Sequence, residues 1–201
     1  TARKITEQEA HLDARQTDAV YVPDLAKDLL EQIIFEARDS EYVDAKSGVS
    51  ARTSITAFEN LLSTAERRAL LTDADSTMVR LSDFMGVVPA ITGKIELVYE
   101  GEQEGADGVA AILIDDAVKS LFPQYFPAIN KLERKDAPSP YDDLLSWFFQ
   151  GEGFELLDEF TDEEYKRTLD SIPELSQLVK EHQPDFPKED IYFLKELVLW
   201  G

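Results

Sequence analysis

Few residues in this chain could do chemistry, and their spacing excludes more than it offers. Cysteine is absent, and the two histidines, His11 and His182, lie far apart. Disulfides, zinc–thiolate sites, iron–sulfur clusters, thiol nucleophiles and histidine-rich metal sites are thereby ruled out. No G-x-S-x-G elbow, H-E-x-x-H helix or G-x-G-x-x-G turn occurs. The nearest approach to a phosphate loop is GVVPAITGK, Gly86 to Lys94. Its glycines are too widely spaced, and Ile95 stands where a magnesium-binding hydroxyl is required. Asp73 and Asp75, in TDADST, resemble the start of a calcium loop but lack its glycine and closing glutamate, so an ordinary turn is expected. Glu100, Glu102 and Glu104, in EGEQEG, read as a mobile, solvated acidic turn between glycines rather than a metal site. No metal ligand set is expected.

Two other groups stand out. Arg67 and Arg68 lie on one helical segment and read as a solvated face rather than as contacts to a neighbouring subunit. Trp147, Phe148 and Phe149 cluster near Phe154 and Phe160. Such rings are either core or a docking surface, and a small unit cannot bury all of them. The expectation is a buried Trp147 with partly exposed neighbours. The acidic run from Glu152 to Glu164 is a soluble surface that could also steer a basic partner.

The elements that must position these residues are helical almost throughout. Asp24 to Arg38 follows Pro23 and sets Leu25, Leu29, Ile33 and Ala37 on one stripe. Thr53 to Leu71 does the same with Ile55, Phe58, Leu62, Ala65 and Ala69. Ser82 suits an N-cap, with Asp83 in the first turn, for a segment running towards Tyr99 and kinked or broken at Pro89 and Gly93. Asp107 opens a helix that stops before Pro123. Residues 123–140 hold four prolines and no period, the composition of a linker or long packed loop. Beyond it, a short helix runs through Trp147 and Phe149 to Gly151. Thr161-Asp162-Glu163-Glu164 is a capping box, and Pro187 precedes a terminal helix with Ile191, Leu194, Leu197 and Val198. Val20 to Val22 is the one strand candidate. The fold expected is all-α, with a helical bundle over 1–122, a proline-rich connection over 123–140 and a smaller helical unit over 141–201.

With 201 residues and 43% hydrophobic content the chain can build one good core or two small ones. Twenty basic against 41 acidic residues leave a net charge of -21. That field opposes nucleic-acid phosphates and anionic membrane surfaces. No apolar stretch approaches a membrane span, and no signal segment is visible. A cytoplasmic location is the expectation.

One stretch is more specific than periodicity. Gly48-Val49-Ser50-Ala51-Arg52 precedes a strong helix, Val79-Arg80-Leu81-Ser82-Asp83-Phe84 follows about thirty residues later, and Val20-Tyr21-Val22-Pro23 leads into a helix upstream. In this order the segments resemble the small helical lid of AAA+ ATPases of the magnesium-chelatase and MoxR group, with its G-x-S-x-R turn. The likeness covers residues 1 to about 105. It implies that Arg52 is a sensor-2 residue reaching the γ-phosphate of ATP, a role suited to a planar, permanently charged fork of donors. Gly48 would then permit the tight turn and Ser50 would cap the helix. The plainer alternative for Arg52 is an exposed arginine paired with a carboxylate.

The resemblance also implies partners. A phosphate loop, magnesium motif, sensor 1 and arginine finger belong to an αβ nucleotide-binding subdomain, and none is present in these residues. The chain is therefore expected to be the lid and C-terminal region of a larger ATPase, binding ATP and Mg2+ only in that parent and inactive alone. A hexameric ring and a von Willebrand A-type partner are further implications. The competing expectation is a free-standing acidic helical interaction module without nucleotide.

Overall fold

The computed structural model describes residues 2–44, 49–128, 139–151 and 153–201. The fold is all-α. The described residues form eleven α-helices and one two-stranded parallel pair.

Two short N-terminal helices, α1 (Ala2–Glu9) and α2 (Ala14–Ala19), lead into β1 (Val20–Tyr21). Helix α3 (Asp24–Asp39) starts immediately after Pro23, whose fixed φ suits a helix entrance. Its expected stripe is buried, with Leu29, Ile33 and Ala37 fully so. Each buried leucine or isoleucine contributes about 1.5–3 kcal/mol. Helix α4 (Ala51–Leu71) buries Phe58, Leu61, Leu62 and Ala65 on one face, and α3 packs most extensively on α7 (Ala106–Leu121).

After α4 the chain turns at Asp73, which adopts φ +53, and enters β2 (Thr77–Met78). β2 lies parallel to β1 in the register Val20↔Thr77 and Tyr21↔Met78, and the Val79 N–H donates to Tyr21 O at 2.8 Å. The segment expected from Ser82, kinked or broken at Pro89 and Gly93, opens as a 3-10 helix, Leu81–Val87, rather than an α-helix, and continues as the short α5 (Val88–Thr92). Arg80, not Ser82, occupies the N-cap position, and the Asp83 carboxylate accepts its N–H at 2.8 Å. Pro89 sits in the first turn of α5, which ends at Gly93. The EGEQEG stretch is a second departure, because it forms helix α6 (Tyr99–Glu104) rather than a mobile turn. Gly101 on α6 is buried and faces the Tyr42 carbonyl, an approach that only a residue without Cβ allows.

A second 3-10 helix, Phe122–Gln124, follows α7. Most of the proline-rich stretch, residues 129–138, lies outside the described residues. Beyond it come α8 (Asp142–Phe149), α9 (Asp162–Asp170), α10 (Pro173–His182) and α11 (Ile191–Trp200). Gly151, at φ +80, follows α8, and the capping box of α9 is formed, with the Glu164 N–H donating to Thr161 Oγ1 and the Thr161 N–H donating to Glu164. One continuous set of buried side chains links Leu113 and Leu121 through Phe122, Phe126 and Tyr141 to Leu169, Leu175 and Leu194. Helix α11 touches both α3 and the 3-10 helix Leu81–Val87. Among the described residues no helix is long and apolar enough to cross a membrane.

Candidate functional site

The turn before α4 carries the residues singled out by sequence. Gly48 lies outside the described residues. Ser50 occupies the N-cap position with extended backbone, yet its side chain makes no capping hydrogen bond; its carbonyl instead accepts from the Thr53 N–H at 2.9 Å. The turn is tethered from α3, where Arg38 Nε donates to Val49 O at 3.1 Å. Arg52 is exposed in the first turn of α4, and no hydrogen bond or ion pair joins it to a described residue.

A second polar centre, unforeseen as a site, is buried at the junction of the two halves. Arg68, expected on a solvated face, is buried. It pairs with Asp83 and donates from Nη2 to Met78 O at 2.7 Å and to Thr77 Oγ1 at 3.3 Å. Arg80 is only 1% exposed. Its Nη2 donates to Asp162 Oδ1 at 2.8 Å, and its guanidinium carbon lies 4.4 Å from the centre of the Tyr165 ring. Nε and Nη1 of Arg80 have no acceptor among the described residues. Because a buried charge without its counter-ion is costly by about 3–5 kcal/mol, these pairs fix how β2 meets α9.

Glu196, on α11, completes the centre. Its carboxylate accepts the Leu81 N–H at 2.7 Å, the Ser82 N–H at 3.4 Å and the Tyr165 hydroxyl at 2.8 Å. It therefore accepts the first free N–H groups of the 3-10 helix as an N-cap side chain would, from a distant part of the chain. Burial pushes this carboxyl up to about 7, against the lowering effect of the donors around it. The Tyr165 hydroxyl is raised well above its ordinary value by burial and by Glu196. Asp83 is also raised by burial, with Arg68 opposing. Asp190, at the start of α11, accepts from the Tyr21 hydroxyl at 2.6 Å and from the Asp24 N–H at 3.1 Å.

Beside this centre lies a cavity of about 190 Å3, lined by Arg80, Tyr165 and Glu196 together with Phe154, Leu157, Leu199 and Trp200. Trp147 is half-buried against the core, with its ring 6.5 Å from that of Phe154, and Phe149 is exposed.

The geometry separates two groups of residues. Arg52 is exposed and unpaired with any described residue, whereas Arg68 and Arg80 are buried, each paired with one carboxylate, and join elements from the two halves. Sequence reading missed the second set, although signals existed. Arg68 falls on the buried stripe of Leu61 and Ala65 at helical spacing, and Lys195 and Glu196 interrupt an otherwise apolar run, YFLKELVLW. Comparison with family models, with curated proteins and with solved structures returns no match to this chain.

Proposed function

We propose that residues 1–122 act as the helical lid of a magnesium-chelatase-like AAA+ ATPase, with Arg52 as the sensor of the γ-phosphate. The observation that carries this reading is Arg52 itself, exposed, at the start of the lid helix and unpaired with any described residue. Support comes from the three segments of the resemblance: β1 and β2 pair in parallel, and α4, the second of the two helices between them, bears Arg52. ATP and Mg2+ would be held by an αβ subdomain of the same protein, since one arginine supplies neither a nest of backbone donors nor a metal site. This chain's part is to close over the nucleotide and to contribute charge that contacts the γ-phosphate only while it is present. A hexameric ring, a von Willebrand A-type partner and a cytoplasmic setting belong to the same reading.

The test is Arg52→Ala in the whole ATPase. Turnover should fall by an amount corresponding to about 2–4 kcal/mol of transition-state stabilisation, while the melting temperature stays at the wild-type value because the side chain touches nothing in the core. Wild-type turnover in the folded variant sinks the assignment. A second reading, an acidic interaction module independent of nucleotide, is favoured by the exposed aromatic face of α8.

A further inference from the structure

Between α8 and the last turn of α11 runs an apolar face that the fold leaves uncovered. Phe149 is 86% exposed, and Leu145, Phe148, Leu157 and Trp200 are exposed as well. These side chains are connected rather than scattered. Leu145 stands three and four residues before Phe148 and Phe149, on neighbouring positions of one helix surface. The Phe148 ring meets Phe154 edge-on at 5.9 Å, and Phe154 lines the same cavity as Leu157 and Trp200. Single exposed hydrophobics are ordinary, but a contiguous apolar strip with a polar rim marks an interaction surface.

The rim has one sign. Residues 139–165 contain nine aspartates and glutamates and no lysine or arginine. Asp143, Glu155, Asp158 and Glu159 are exposed, and no described cation pairs with them. The cavity itself offers an opening for one anchor residue, with Arg80 N–H groups beside it that lack an acceptor.

We propose that this face docks a basic amphipathic helix of another protein. Its apolar residues at i, i+3 or i+4 and i+7 would lie along the strip from Phe149 to Trp200, and its lysines and arginines would face the acidic rim. A second copy of this chain is disfavoured by its own net charge of -21 and by meeting the same rim, and an anionic lipid surface is repelled in the same way. The proposal is independent of the nucleotide reading, because none of its residues belongs to the Arg52 turn.

Both tryptophans of the chain, Trp147 and Trp200, lie on this face, so their fluorescence reports on it directly. The probe is a tryptophan-free peptide of leucine and lysine, about four helical turns long, with the leucines on one stripe. Titrated into the full chain, it should give a saturable change with a micromolar dissociation constant. Phe149→Ser and Leu157→Ser should each weaken binding by about tenfold. Leu70→Ser should leave it unchanged, since Leu70, 76% exposed on α4, lines neither the strip nor its cavity. Both substituted positions are exposed, and thermal melts matching the wild type identify variants that remain folded. Equal binding of a scrambled peptide of the same composition would reduce the effect to bulk charge and overturn the proposal. So would affinity untouched by both serine variants. A concentration-dependent dimer abolished by Phe149→Ser would assign the face to a second copy and overturn it equally.

Discussion

Glu196 is a carboxyl group kept from water and surrounded by donors, and the balance of those two effects is measurable. Its carboxyl stands at about 7 in the folded chain against an ordinary 4.5. Between those values the folded protein holds a proton that the unfolded chain has released. By linkage, its contribution to stability is greatest below the lower value, falls as pH rises through the window, and is level above the upper one. Glu196→Gln should therefore match the wild type near pH 4 and exceed it near pH 8, by at most about 3 kcal/mol. The amide oxygen can still accept the Leu81 N–H, so the cap survives the substitution. Urea denaturation at the two pH values provides the comparison. A variant less stable than the wild type at both would mean that the ionised carboxylate is what the cap requires. Arg52, by contrast, is exposed and makes no hydrogen bond or ion pair with a described residue, so its replacement should leave the core untouched.

At the scale of elements, helix α6 is held by a contact that its sequence conceals. A Cβ at Gly101 would lie 2.4 Å from the Tyr42 carbonyl oxygen, a backbone atom that cannot swing aside. Gly101→Ala should displace α6 and cost about 1–3 kcal/mol. Gly108→Ala, whose Cβ would meet nothing nearer than 3.9 Å, should instead stabilise α7 by up to about 1 kcal/mol. Paired thermal melts of the two variants separate these outcomes, and equal shifts would remove the packing argument. The same helix shows where sequence was readable. The long helices α3, α4 and α7 announced themselves by apolar period, and α9 by its capping box, because in each the local signal agrees with the burial. Helix α6 and strand β2 did not, since one is a polar helix packed through a glycine and the other is two residues paired across a crossover. The polar N-terminal helix α1 is attached by side-chain contacts such as Thr6 Oγ1 to Glu31 Oε1 at 2.8 Å, which no period reveals. In the candidate site, Arg52 was visible as part of a turn motif. Arg80 and Glu196 were not, because their partners are distant in sequence.

For the molecule as a whole, three acidic residues beyond the proline-rich stretch do the joining. Asp162 takes Arg80 and Thr77, Asp190 takes Tyr21 and the Asp24 N–H, and Glu196 takes the Leu81 and Ser82 N–H groups. All three close on β1, β2 and the residues that follow them, so the later helices grip the segments that frame α4. A movement of β1 and β2 would carry α9 and α11 with it. The span of these grips also bears on how the chain is made. The Glu196 contact to Leu81 bridges 115 residues, and the Asp190 contact to Tyr21 bridges 169. At ribosomal rates of about 5–20 residues per second, the earlier helices wait on the order of ten seconds for their cap to be synthesised. During that interval the Leu81 and Ser82 N–H groups face water and the α11 side of the core is open. Nascent chains arrested before Asp190 should thus be cut readily by protease within 77–92, while chains arrested well after residue 201 has cleared the exit tunnel should resist. Full protection of the shorter chains would show that the early helices close without their distant carboxylate.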